Sequence, residues 1–189
     1  MTDLVLVAEA LQSFCEKNGW PFCIIGGLAL QIWGENRVTM DVDLTLLAGF
    51  GDEEHYVDKL LQKFPARMSG ARDFAIQRRV LLLESSNGIG IDVSLGAFDF
   101  EADMVRRATY EQFLPNIKLK VRTAEDLIVS KSFAERPKDW LDIESVLIKQ
   151  TELDWDYIVG QLTPLVELKE APEILDKLNI LRKEFYESS

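Results

Sequence analysis

GGLALQIWGENRVTMDVD, residues 26–43, carries a glycine pair at one end and two aspartates at the other. Asp41 and Asp43 are separated by one residue in an apolar run, so they lie on the same face of a strand, because side chains alternate with a period of two. A third acid, Asp92, lies in a later apolar run. Like charges held this close repel each other unless a cation lies between them, and Mg²⁺ prefers hard carboxylate oxygens. The sequence therefore predicts a metal site for phosphate chemistry.

The composition is that of an ordinary globular protein. The chain has 189 residues, of which 47% are hydrophobic and 28% charged. This length suffices for one well-buried domain, or for a domain of about 120 residues with a helical appendage. No apolar run reaches the roughly 18 residues that a membrane-spanning helix needs, and the first residues are amphipathic rather than a basic signal sequence. We therefore expect a cytoplasmic protein that does not associate with membranes.

The charge is strongly acidic and unevenly distributed. A formal net charge of −11 argues against indiscriminate nucleic-acid binding, because such binding needs a basic surface that releases phosphate counterions. Residues 104–122 carry five basic side chains against one acidic, a net +4, whereas residues 123–189 carry eight against fifteen, a net −7. The first segment is compatible with a local RNA or nucleotide contact, and the second with a basic partner.

The cysteines and the single histidine indicate neither zinc binding nor histidine-based catalysis. Cys15 and Cys23 each follow a phenylalanine, which favours buried thiols over a disulfide or a metal role. His55 follows three acidic residues at a predicted helix start, which favours a surface or capping role.

Hydrophobic periodicity predicts a mixture of helices and strands up to about residue 122 and only helices after it. Strands are predicted at 22–25, 41–47, 74–84, 88–95 and 117–121. Helices are predicted at 3–18, 26–33, 52–64, from 123 onward, and at 138–149, 154–168 and 172–187. The segment 105–113 is helical or irregular, and the helix after Thr123 begins with a pattern close to a capping box.

The order of these features resembles the nucleotidyltransferase fold of the polymerase β superfamily. In that superfamily a glycine pair after a hydrophobic residue precedes an Asp-x-Asp motif, and a third acid follows on a downstream strand. This chain has the same residue types in the same order: Gly26, Gly27, Asp41, Asp43 and Asp92. The resemblance implies an α+β fold, with a small mixed β-sheet flanked by helices as the nucleotidyltransferase core (1–122) and a C-terminal helical region packed on it (123–189).

Within the superfamily, residues 22–147 look most like the AbiEii-type proteins. The similarity rests on GGLAL at 26–30, RVT at 37–39, EDLIVSK at 125–131, and the residues Arg136, Asp139 and Asp142. AbiEii-type proteins are bacterial nucleotidyltransferases that are often the toxin of a toxin–antitoxin or abortive-infection pair. The resemblance thus implies a toxin-like role, with a cognate antitoxin as a partner.

Asp41, Asp43 and Asp92 are the predicted catalytic residues and the predicted ligands of two Mg²⁺ ions. The metals would stabilise an in-line displacement at the phosphate of an NTP, and Asp92 would also take the proton of the attacking hydroxyl. Gly26 and Gly27 lie at a strand-to-helix turn, where backbone N–H groups and the helix dipole favour phosphate binding.

Four further residues complete the predicted nucleotide-binding set: Arg37, Thr39, Lys131 and Asp139. Arg37 and Thr39 precede the metal strand, and Lys131 would reach the triphosphate as a point charge. The resemblance implies that Asp139 helps to close the site. Alternatives stay open, namely surface charges at Arg37 and Lys131 and an ion pair of Asp139 with Arg136 or Lys138.

Three functions are compatible with these features. The first is transfer of NMP from an NTP to an RNA or protein acceptor. The second is modification of a small aminoglycoside-like polycation, which an acidic surface would attract. The third is a non-catalytic binding module that has kept the nucleotidyltransferase fold, although the presence of all three acids argues against it.

Overall fold

The computed structural model describes residues 2–35 and 38–186. The chain divides into two compact units, Met1–Leu28 with Val38–Arg122 and Ala29–Arg37 with Thr123–Ser189. The strands, all in the first unit, are β1 (Phe22–Ile24), β2 (Asp41–Leu47), β3 (Val80–Glu84), β4 (Gly90–Gly96), β5 (Thr109–Leu114) and β6 (Ile117–Val121). The helices of that unit are α1 (Thr2–Lys17), the start of α2 (Gly26–Trp33), α3 (Glu53–Lys63), α4 (Ala71–Arg78) and α5 (Asp99–Arg107). The second unit holds the rest of α2 with α6 (Ala124–Ala134), α7 (Pro137–Lys149), α8 (Trp155–Lys169) and α9 (Glu173–Tyr186).

The first unit is built on one mixed sheet, in which the described residues form six strands in the order β3-β4-β2-β1-β6-β5. β2 pairs in parallel with β4 and antiparallel with β1, and β1 pairs in parallel with β6. On one face of the parallel pair β2 and β4 the side chains are fully buried or nearly so: Val42, Leu44, Leu46, Ile91, Val93 and Leu95. This confirms the predicted α+β fold with a small mixed sheet flanked by helices.

Two predictions in the first unit are wrong. Residues 74–84 are not one strand, because α4 occupies Ala71–Arg78 and β3 starts only at Val80. Arg79, between them, adopts a left-handed conformation (φ 57°) that ends the helix. Burial of Ala71 and Ala75 explains the helix, since small residues allow it to pack closely on its neighbours.

The segment predicted to be helical or irregular, 105–113, is divided between two elements. α5 ends at Arg107, and β5 begins at Thr109. The start of α5 is fixed by Glu101, whose carboxylate accepts hydrogen bonds from the backbone N–H groups of Ala97 and Phe98 at 2.7 and 3.0 Å. β5 is the last strand in the sheet order and pairs with β6. All of its residues are exposed or half-buried, so its sequence carries little alternation.

The second unit is helical, as the sequence predicts. The Thr123 hydroxyl caps α6 by accepting from the Asp126 N–H at 3.3 Å, and the Asp154 carboxylate caps α8 by accepting from the Tyr157 N–H at 2.9 Å. Lys149 on α7 donates to the carbonyls of Ile32 and Gly34, which satisfies acceptors at the end of α2. None of the helices within the described ranges is both long and apolar enough to cross a bilayer.

The two cysteines provide a test of the packing in the first unit. Cys15 and Cys23 are fully buried, as the sequence predicts, and are not joined in a disulfide. Burial, reinforced by the charge of Glu16, raises the pKa of Cys15 to about 12. We expect neither thiol to react with Ellman's reagent in the native protein at mildly alkaline pH, whereas both should react in concentrated guanidinium chloride. Rapid stoichiometric labelling of the native protein would contradict this packing.

Candidate functional site

Register brings the three predicted catalytic acids onto one face of the sheet. In the parallel pairing of β2 with β4, Asp43 lies directly opposite Asp92, and Asp41 lies opposite Gly90. Asp41 is exposed, while Asp43 and Asp92 are half-buried. The apolar residues between them point to the opposite face, so the three carboxylates form an acid row across the sheet (Asp41, Asp43 and Asp92).

The glycine pair lets the start of α2 lie against this acid row. Gly26 has a φ of +61°, in the left-handed region, and a Cβ at this position would overlap the Asp43 carboxylate. A Cβ on Gly27 would overlap the Thr39 side chain. The Gly27 N–H donates a hydrogen bond to Asp43, so only glycines allow this approach.

Electrostatic forces on Asp43 act in opposite directions, and those that disfavour its charge are stronger. Burial, followed by the charges of Asp92 and Asp41, raises the pKa of Asp43, although the Gly27 N–H and the Arg122 charge act to lower it. An ionised Asp43 is therefore disfavoured, first by burial and then by repulsion from the neighbouring acids. A hard divalent cation would relieve this repulsion, and carboxylate oxygens are the donors that Mg²⁺ prefers, so the chemistry of the donors fits the predicted metal. Their present spacing does not hold one, since within the described residues no three acidic, histidine or cysteine side chains converge closely enough to bind a metal ion.

Arg67 belongs to the site, although no sequence pattern indicated this residue. Its Nη2 donates to Asp92 Oδ1 at 2.6 Å, and both side chains are about 30% exposed. Arg67 lies in the loop between α3 and α4, in a segment without periodicity.

Arg122 is a second arginine near the acid row. Its backbone N–H donates to the Ile24 carbonyl at 3.1 Å, and the Ile25 N–H donates to the Asp43 carbonyl at 2.9 Å, so Arg122 and Asp43 flank the end of β1. The side chain is only 6% exposed, with Nη1 3.9 Å from the Met104 sulfur. The sequence placed this residue in a basic segment, whereas the fold buries its charge.

Lys131 and Asp139, two predicted nucleotide-binding residues, bind each other in the second unit. Lys131 Nζ lies 3.0 Å from Asp139 Oδ1 and 2.5 Å from Asp142 Oδ2, and Arg136 Nε lies 2.6 Å from Asp139 Oδ2. Burial disfavours the charge of Asp139, but the hydrogen bonds from Arg136 and Lys131 outweigh it and hold the pKa of Asp139 below its ordinary value. The ion pair with Arg136 that the sequence left open is thus formed.

The remaining predicted nucleotide-binding residues are Thr39 and Arg37. The Thr39 side chain lies beside Gly27, and its hydroxyl is 3.4 Å from the Asp41 carbonyl, so Thr39 is part of the site. Arg37 lies outside the described residues.

Comparisons with known proteins agree with the predicted fold. A family model described as "Nucleotidyltransferase of unknown function (DUF6036)" matches residues 2–167. No curated protein sequence matches the chain.

Two solved structures resemble this one over nearly their whole length. An antigenic nucleotidyltransferase-like protein from Paracoccidioides brasiliensis has a TM-score of 0.55 at 16% identity, over 93% of this chain and 92% of that chain. ANT(2'')-Ia, in complex with adenylyl-2''-tobramycin, has a TM-score of 0.57 at 14% identity, over 89% of this chain and 99% of that chain. At such low identities the likeness shows the fold alone, which confirms the nucleotidyltransferase-like architecture.

Replacing Asp43 by asparagine should stabilise the protein at neutral pH without divalent cations. A carboxyl whose pKa is raised by folding loses stability as the pH rises through that pKa, so its ionised form is destabilising at neutral pH. Asparagine removes the charge and can still accept from the Gly27 N–H. We expect Tm in a chelator to rise by about 2–4 °C. The same substitution at the exposed Asp41 is the control and should change Tm less; a fall in Tm for Asp43→Asn would contradict the repulsion.

Replacing Lys131 by alanine should destabilise the protein because it leaves Asp139 and Asp142 buried without their shared cation. We expect a loss of about 3 kcal/mol in the free energy of unfolding at neutral pH, measured with urea and tryptophan fluorescence. Lys138→Ala, at an exposed position of α7, the helix that carries Asp139 and Asp142, is the control and should change the free energy of unfolding by less than about 0.5 kcal/mol.

The same pair of variants gives a pH dependence. Because the folded-state pKa of Asp139 is lowered, its stabilising contribution is complete above the ordinary pKa of aspartate and is lost as the pH falls below about 4. The difference in the free energy of unfolding between wild type and Lys131→Ala should therefore become smaller below about pH 4. A Lys131→Ala variant as stable as Lys138→Ala would show that the cluster contributes nothing.

Proposed function

We propose a catalytic function for this protein, which belongs to the nucleotidyltransferase family DUF6036: metal-dependent transfer of NMP from an NTP to an acceptor hydroxyl. The observation that carries the proposal is the acid row lying against the glycine turn at the start of α2. Asp43 touches Gly26, accepts from the Gly27 N–H and lies opposite Asp92. A helix N-terminus beside three carboxylates is suited to binding a metal–triphosphate complex, in which the cation offsets both sets of negative charge.

Asp41, Asp43 and Asp92 are the proposed metal ligands, with Mg²⁺ as the proposed metal. Bound Mg²⁺ would lower the pKa of the attacking hydroxyl and offset charge that develops on the phosphate. In the reaction the acceptor oxygen bonds to the α-phosphorus, the bond to the β-phosphate oxygen breaks, and pyrophosphate leaves. The proton of the hydroxyl passes to a carboxylate oxygen of Asp92.

Gly26, Gly27 and Thr39 are the proposed phosphate-binding group, and Arg37 and Lys131 are proposed to add positive charge. Thr39 offers a hydroxyl beside the Gly27 backbone. For Lys131 to contact the triphosphate, it has to exchange a carboxylate of Asp139 or Asp142 for a phosphate oxygen. The roles of Lys131 and Asp139 toward the nucleotide stay predictions.

The acceptor that the charges support best is a small polycation. The basic side chains of 104–122 do not all add charge to an open surface, because Arg122 is buried and the charge of the exposed Arg106 is partly offset by Asp103 at 2.6 Å. A net charge of −11 attracts a polycation and repels RNA. The fold shared with ANT(2'')-Ia, whose structure contains an adenylylated aminoglycoside, supports the same class of acceptor.

An RNA or protein acceptor is the second candidate. It is supported by the AbiEii-like pattern of residues 125–142, which also suggests a toxin-like role with a cognate antitoxin. A protein acceptor or antitoxin with a basic surface would suit the acidic residues 123–189.

Labelled substrate distinguishes these candidates. The protein is incubated with each α-³²P-labelled NTP and Mg²⁺, together with an aminoglycoside panel, total tRNA or cell-lysate protein. We expect label on a polycationic small molecule, with a loss of at least about a hundredfold in Asp41→Asn and Asp43→Asn, because each removes a metal ligand. Asp58→Asn, in an exposed pair with Arg72, is the control and should retain activity.

Each other outcome identifies a different function. Label on tRNA or on protein would replace the first candidate by the second. Absence of label with every acceptor and all NTPs would support the non-catalytic binding module. Activity that persists in Asp41→Asn and Asp43→Asn would contradict the role of the acid row.

A further inference from the structure

Arg67 is aligned with the acid row by an extension of the sheet. The Arg67 N–H donates to the Leu82 carbonyl at 3.0 Å, the Glu84 N–H donates to the Pro65 carbonyl at 2.9 Å, and Ala66 forms a bridge with Leu83. This short segment therefore pairs antiparallel with the free edge of β3. Leu82 lies opposite Asp92, which lies opposite Asp43, so Arg67 is level with both acids across the sheet.

The guanidinium of Arg67 lies where the acids would bind a cation. Nη2 contacts Asp92 Oδ1 at 2.6 Å. A Cβ at Gly90, which is buried and opposite Asp41, would overlap Arg67 Nη1 and would lie 2.6 Å from Asp41 Oδ1. Gly90 thus leaves room for the guanidinium beside Asp41 as well as Asp92, and one positive group approaches two of the three predicted metal ligands.

The exposure of this ion pair makes it exchangeable. Both side chains are about 30% exposed, and partly exposed ion pairs are weak because solvent screens them and holding two long side chains costs entropy. A divalent cation with oxygen ligands attracts a carboxylate more strongly than a guanidinium does. Because arginine stays protonated at every physiological pH, competition rather than titration has to free Asp92.

We propose that Arg67 is a positioning residue that occupies Asp92 in competition with the divalent cation. The inference rests on the proposed metal-dependent function. Arg67 offsets part of the repulsion in the acid row when metal is absent, and metal binding requires Asp92 to leave it. A purely structural ion pair would contribute to stability without changing metal affinity, which separates the two roles.

Metal affinity measures this competition directly. Mn²⁺, which takes oxygen ligands like Mg²⁺, is titrated into the full chain, and free Mn²⁺ is followed by electron paramagnetic resonance. We expect Arg67→Gln to bind Mn²⁺ about three- to tenfold more tightly than wild type. Arg72→Gln removes an arginine of the same unit whose partners are Asp58 and Glu54, and its Kd should match that of wild type.

The Asp92→Asn variant separates competition for the Asp92 carboxylate from a general electrostatic effect of the Arg67 charge on metal binding. In Asp92→Asn, the further substitution Arg67→Gln should change the Kd for Mn²⁺ much less than it does in the wild-type chain, because the contested carboxylate is gone and only the charge beside Asp41 is removed. A gain in affinity of the same size with and without the Asp92 carboxylate would overturn the competition.

The remaining outcomes distinguish this inference from the proposed function. Equal Mn²⁺ affinities of wild type and Arg67→Gln would overturn the competition and leave the proposed function in place. Absence of Mn²⁺ binding in both proteins would overturn the proposed metal-dependent function as well. Should Arg67→Gln fail to fold by circular dichroism, Arg67→Lys provides the test. It keeps the backbone bond to Leu82 and a positive charge but loses the planar fork, so a smaller gain in affinity is expected, and no gain overturns the inference.

Discussion

The parallel pairing of β2 with β4 places Asp43 directly opposite Asp92, and the surrounding structure compensates for that juxtaposition. Like charges opposite each other destabilise a sheet. The register holds because the other face of the same strands is apolar and buried. A slip of one residue would exchange the two faces and bury the acids in the core, so the hydrophobic pattern fixes the acid row.

The compensation for the charges of the acid row is incomplete. The Gly27 N–H and the buried Arg122 favour the ionised form of Asp43, yet burial and the neighbouring acids prevail and raise its pKa. A fold without a use for this arrangement would gain stability by losing one acid. Clusters of charged groups that lower the stability of the fold are common at functional sites, where stability is given up for binding or chemistry.

The sequence predicts those features that depend on local periodicity. The alternation along β2 and β4 locates the acids on one face, and the glycine pair at the strand end locates the start of α2. The mistaken strand at 74–84 lies where a helix and a strand follow each other without a breaker residue, because the left-handed turn is formed by Arg79 rather than by glycine. Arg67 could not be found in this way, since it meets Asp92 only through pairing at a sheet edge across 25 residues of sequence.

The two ion-pair clusters near predicted site residues differ in their exposure, and exposure determines what each can do. Asp139 is fully buried and Lys131 nearly so, so separating them would leave buried charges without partners, which is costly. Arg67 and Asp92 remain open to solvent, which can hydrate either group when the pair breaks. A sequence pattern treats all four as charged residues near a motif. The fold gives the buried cluster the properties of a structural element and the exposed pair those of an exchangeable one, and exchange is what a carboxylate needs if a metal ion is to bind to it.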